Sequence, residues 1–113
     1  MMQADQLKQR IDKIEECTDE AKRAVQAGSA PAELRQIVGT LHEQAHQAQQ
    51  AASSSQQMGQ DGMRNTVMQM EQTGDRAMQV CRSSGNSVDQ KTQQAVQRAH
   101  DEISSLKKQM QMG

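Results

Sequence analysis

Tryptophan, tyrosine and phenylalanine are all absent from the 113 residues. That absence excludes an aromatic stacking platform for single-stranded nucleic acid and an aromatic cage for a cationic ligand, since both work through π-faces. A charge of one sign is missing as well, because 13 Lys and Arg stand against 14 Asp and Glu for a formal −1. A nucleic-acid binder needs a basic excess to displace counterions from phosphates, so nucleic acid is not expected as a partner. Cysteine is scarce, with only Cys17 and Cys81; two are too few for a disulfide framework, and reduced thiols are expected. No apolar run reaches the roughly 7–15 residues of a signal-peptide core or the ~18 of a membrane span. The expected setting is cytoplasmic, with no transmembrane segment.

Hydrophobic residues are also few, at 34% against roughly 45–50% in ordinary soluble domains, which leaves material for only a thin core. Disorder does not follow, because it usually requires a large net charge as well. The composition is filled instead by 21 Gln, 13 Ala and 9 Met, residues that lose little rotamer freedom in a helix. With a single proline, the chain reads as one all-α domain over residues 1–113.

Apolar residues recur at alternating spacings of three and four, the period that lines one face of an α-helix. Leu7, Ile11, Ile14, Thr18, Ala21 and Val25 form the first series, with charge on the other face and Gly28 expected to close the helix in a left-handed conformation. Ser29 is expected to cap the second helix, with Pro31 in its first turn. Leu34, Val38, Leu41, Ala45, Ala48 and Ala52 follow, widened by Ile37, and Gly59 and Gly62 are expected to make the next turn. The third series is Met63, Val67, Met70, Gly74, Ala77 and Cys81. It is the weakest, because a glycine such as Gly74 costs about 1 kcal/mol against alanine inside a helix. Ser87 is expected to cap a last helix carrying Val88, Thr92, Ala95 or Val96, Ala99, Ile103, Leu106 and Met110.

The expected helices span about 4–27, 30–57, 63–83 and 87–111. Short breaks between helices of that length predict antiparallel neighbours, hence an up-down-up-down four-helix bundle. The alternative is two helical hairpins that complete a core only by pairing in a dimer, an arrangement that the shortage of large apolar residues also favours.

Candidate chemistry is sparse. Glu43 and His46 have the E-x-x-H spacing of di-iron bundles, but Gln97 rather than a carboxylate precedes His100 at that spacing, and both residues fall outside the apolar series. A solvated helix face is expected there. Cys17, His42 and His100 fall at similar heights if the helices alternate in direction, and thiolate with imidazole suits zinc or copper. Cys81 adds a second thiol, about 10 Å from Cys17 in height at the helical rise, too far for a disulfide within the chain. Cys17, His42, Cys81 and His100 together make up a metal- or redox-responsive alternative, beside the plainer account of each cysteine as a small buried hydrophobe. The methionines form no M-x-x-M-x-x-M array and suit gap filling or an adaptable partner groove better than copper. No nucleophile elbow and no Gly-rich phosphate loop occurs, so neither an enzyme nor a cofactor is expected.

The stretch Ala51-Ala-Ser-Ser-Ser-Gln-Gln-Met-Gly-Gln-Asp-Gly-Met-Arg-Asn-Thr-Val-Met-Gln-Met-Glu-Gln, continuing to Val80, resembles the signalling helices of bacterial chemoreceptors in its Ala/Ser/Gln/Met-rich seam. It departs from them at Gly59 and Gly62, where a receptor helix runs on, and it lacks their hairpin-tip motif. The resemblance implies shared long-helix chemistry and assigns no functional residue. The function expected from the whole sequence is a non-enzymatic protein–protein interaction module: an adaptor, a chaperone-like protein or an assembly subunit. Its partner would be another protein or a second copy in a homodimer, and Met63, Val67, Met70 and Met78 are the expected contact residues. A third reading, an amphipathic coat on a lipid or polymer surface, is disfavoured because the apolar stripes carry no Trp or Phe.

Overall fold

A computed structural model describes residues 4–28, 30–53 and 60–112. Helix α1 runs Ala4–Ala27, α2 Ala32–Ser53, α3 Gln60–Ser84 and α4 Gln90–Met112, with a short 3₁₀ turn at Gly85–Ser87. Helix α1 packs against α2 and α4, and α3 packs against the same two, so the four form a closed ring around one axis. The result is an antiparallel all-α four-helix bundle, 42 × 23 × 17 Å in extent. One chain closes its own core, which corrects the alternative of two hairpins that need a second copy to do so.

The inward faces are the apolar series. Ile11, Ile14, Ala21 and Val25 from α1 are buried with Leu34, Val38, Leu41, Ala45 and Ala48 from α2. Met63, Val67, Met70 and Ala77 from α3 meet Val96, Ala99, Ile103 and Leu106 from α4. Two clusters result. Around Ile11, Ile14, Leu41, Met70, Ile103 and Leu106 the side chains are large. Around Val25, Val38, Val80, Val88 and Val96 they are mostly valine and alanine. Buried Thr18 turns its hydroxyl back to the Glu15 carbonyl at 2.9 Å, so a polar atom among apolar neighbours keeps a partner.

Several helix ends differ from expectation for identifiable reasons. Gly28 does not take a left-handed conformation; among the described residues Gly85 is the one with positive φ, at 52°. Gly28 donates its N–H to the Ala24 carbonyl at 2.8 Å and is needed for space, since a Cβ there would lie 2.5 Å from Asp89 Oδ1. Ser87 is not the cap of α4. Val88 is buried and held extended at φ −112° and ψ 120°, which moves the helix start one step on and gives Asp89 the capping position. Asp89 Oδ2 accepts from the Thr92 N–H at 3.4 Å, and its carbonyl accepts from Gln93 at 3.0 Å. Helix α2 starts after Pro31, whose carbonyl accepts from the Arg35 N–H at 3.1 Å. Ser29 and the expected end of α2 near residue 57 lie outside the described residues. Helix α3 begins at Gln60, so Gly62 is helical rather than part of a turn, and its carbonyl accepts the Thr66 hydroxyl at 3.0 Å. Gly59 lies outside the described residues.

Candidate functional site

Met63, Val67 and Met70 point into the bundle with 3%, 1% and 0% of their surface exposed. Their spacing of four and three is the core face of α3, so a partner reaches them only if the bundle opens. Met78 is half-buried against the valine-rich cluster. The large hydrophobic residue that α3 does expose is Met68, at 38%.

The four Cys and His residues are not brought together. Cys17 belongs to the cluster of large side chains and Cys81 to the valine-rich one; both are buried and free. Burial pushes both thiols above their ordinary pKa, and for Cys17 the Glu102 carboxylate adds to the rise. A raised thiol pKa leaves less thiolate, the form that attacks or binds metal. His42 lies between α1 and α2, its Nε2 3.5 Å from both Glu15 Oε1 and Asp19 Oδ1. His100 lies between α3 and α4, its Nε2 2.6 Å from Asp75 Oδ1 and its Nδ1 3.7 Å from Asp101 Oδ1. Each imidazole therefore bridges a different pair of helices. Gly74 lets α4 come close at this point, since a Cβ there would stand 3.3 Å from His100 Cδ2.

Among the described residues no three His, Cys, Asp or Glu side chains converge as a metal-ligand set. Glu43 and His46 are exposed, as the solvated-face reading expects, and His46 Nε2 lies 3.4 Å from the Gln50 amide. Further polar links tie neighbouring helices: Gln49 to Asp12 at 3.0 Å, Ser104 to Glu71 at 3.2 Å, and Lys107 to the same Glu71. These side chains thus hold helix to helix, while the buried Gln44 Oε1 has no hydrogen-bond partner among the described residues.

A concave surface lies elsewhere, in a groove between α1 and α4 of about 920 Å³. Its floor is Ala24, Ala27, Gly28 and Ala95. Glu20, Arg23, Lys91, Arg98 and Asp101 stand along its walls. Arg98 reaches Glu20 across the groove at 3.5 Å, and Arg23 reaches Asp19 along α1 at 3.0 Å. The volume is of the order of a small-molecule site, roughly 300–1,000 Å³, but the exposed, charged walls suit another protein surface better than an enclosed ligand. A sequence signal for it existed: positions 20, 23 and 27 and positions 91, 94 or 95, 98 and 101 are themselves helical series just outside the apolar ones. Finding the groove also required knowing that α1 and α4 are neighbours.

Compared with protein-family models, with curated proteins and with solved structures, the chain matches none. No helix among the described residues is long and apolar enough to cross a membrane.

Proposed function

We propose that this chain is a non-enzymatic helical interaction module, an adaptor, chaperone-like protein or assembly subunit that works through the outside of its closed bundle. The observation that carries this reading is the separation of two kinds of polar group. The His42 and His100 imidazoles and the Glu71 and Asp12 carboxylates are engaged in helix-to-helix links, and both thiols are buried, so these groups are committed to the fold. The α1–α4 groove keeps Arg23, Lys91 and Asp101 exposed around a floor of small residues, with the Arg98–Glu20 pair between them, an arrangement that recognises a surface by shape and charge. Contact through the groove replaces contact through Met63, Val67 and Met70, because those side chains form the core.

The test is site-specific photocrosslinking in the native host, with the crosslinking residue at Gln94 in the groove or at exposed Gln47 on α2. A discrete protein adduct from position 94, absent from position 47, is expected. No adduct from either position, or the same diffuse smear from both, overturns the reading.

A further inference from the structure

The charges along the groove are ordered, and their order identifies an occupant. The cross-links Lys13–Glu102 at 3.4 Å and Arg98–Glu20 at 3.5 Å, with Asp89 against Gly28, fix α1 and α4 as antiparallel neighbours in register. Moving from the middle of the bundle toward the end that holds Gly28, the walls present Asp101, then the Arg98–Glu20 pair, then Arg23, then Lys91. One extremity carries Asp101, the centre is neutralised by the Arg98–Glu20 and Arg23–Asp19 pairs, and the other extremity carries Lys91. Asp101 and Lys91 lie about 15 Å apart along α4 at the helical rise. Both are exposed; Asp101 has Nδ1 of His100 at 3.7 Å beside it.

A surface with that order is complementary to itself. A two-fold axis perpendicular to the helices at the level of Val96, midway between the two residues, lays Asp101 of each copy over Lys91 of the other, and brings Arg23 to the level of the other copy's Asp19 and Glu20. Isologous contacts have this property that a residue meets a different residue twice. A uniformly acidic segment fits less well, because it would satisfy Arg23 and Lys91 only by facing Glu20 and Asp101 with like charge.

We propose that the α1–α4 face pairs with the same face of a second copy of this chain, antiparallel about a two-fold axis at the level of Val96, with Lys91 of each copy paired to Asp101 of the other. This rests on the contact-module reading and names its partner. Sedimentation of the full chain up to about 1 mM, the weak end of specific affinity, tests it with three variants: Lys91→Glu, Asp101→Lys and the two combined. The wild type is expected to form a dimer. Each single variant puts like charges together twice and is expected to weaken the dimer at least about tenfold, and the combined exchange restores the pairing and the dimer. Far-UV circular dichroism accompanies each sample. Should a single variant lose helicity, the salt dependence of the wild-type dimer stands in for it, with weakening expected as salt rises. A monomeric wild type, a dimer indifferent to both single variants and to salt, or a combined variant that stays monomeric while helical overturns the proposal. A monomer whose position 94 crosslinks to a different protein overturns the self-pairing alone, whereas a monomer that gives no adduct removes the contact-module reading with it.

Discussion

The two ends of the bundle are held by different means. At one end Ile11, Ile14, Leu41, Met63, Met70, Ile103 and Leu106 bury large side chains, and burial of that kind stabilises through area removed from water, at about 25 cal/mol per Å². At the other end the core is Leu34 with Val25, Val38, Val80, Val88, Val96, Ala21, Ala77 and Cys81. Most of these side chains are smaller, and local polar geometry fixes the backbone as well. Asp89 caps α4, fills the space above Gly28, and takes the Thr92 hydroxyl, which also lies 3.3 Å from the Ala24 carbonyl of α1. One carboxylate thus ties a helix start to a helix end. The lesson is that a chain without aromatics adds capping to burial where most of its core side chains are small.

The sharpest way to break the comparison is to remove volume at the first end. Ile103→Ala or Met70→Ala is expected to lower stability by about 2–5 kcal/mol, as for other buried large-to-Ala changes, measured by urea denaturation. A loss as small as that of a surface substitution would mean that the first cluster does not carry its end. Next in size is the cap. Asp89→Ala is expected to cost about 0.5–2 kcal/mol. Gly28→Ala is expected to cost a similar amount, because its methyl displaces the Asp89 carboxylate. The double variant is expected to cost little more than Asp89→Ala alone, since the nearest atoms that Gly28 makes room for are then gone and only the 3.1 Å approach to the Ala24 carbonyl remains. Additive losses in that cycle would show that the two residues act independently.

The smallest expected effect uses one thiol from each end. Both thiols have a pKa raised from 9.0 in the native state, mainly by burial, and Cys17 also feels Glu102. The native chain therefore keeps these protons when the unfolded chain has released them, so stability is full below pH 9.0 and falls as pH rises through the native values. Cys17→Ala and Cys81→Ala are each expected to flatten part of that alkaline decline, read from melting temperatures across the range. An unchanged slope in both variants would place the decline on other groups.

The helical series were legible in the sequence because core contact in a bundle is set by period alone. Positions such as Ile14, Val38, Met70 and Ile103 follow from spacing without knowledge of which helix they face. Turn chemistry was less legible. Gly28 reads as a left-handed terminator until Asp89, remote in sequence, is seen to occupy the space above it, and Ser87 reads as a cap until Val88 is seen buried and extended. Met63, Val67 and Met70 were legible as a stripe but not as core or contact surface, because period fixes a face and says nothing of whether a neighbour covers it. The groove depends on α4 returning to lie beside α1, a fact of closure that no local pattern contains.

That closure has a further consequence. Helices α1 and α4 are the farthest apart in the chain, yet Arg10 meets Ser105 at 2.7 Å and Lys13 meets Glu102 at 3.4 Å much as side chains meet between helices joined by a loop. The ring has no privileged seam. In a circularly permuted chain, with Met112 linked back to Ala4 and new termini opened between Gly28 and Pro31, every pair of neighbouring helices would remain a pair of neighbours. The order in which the helices are made is thereby separable from the shape they make together.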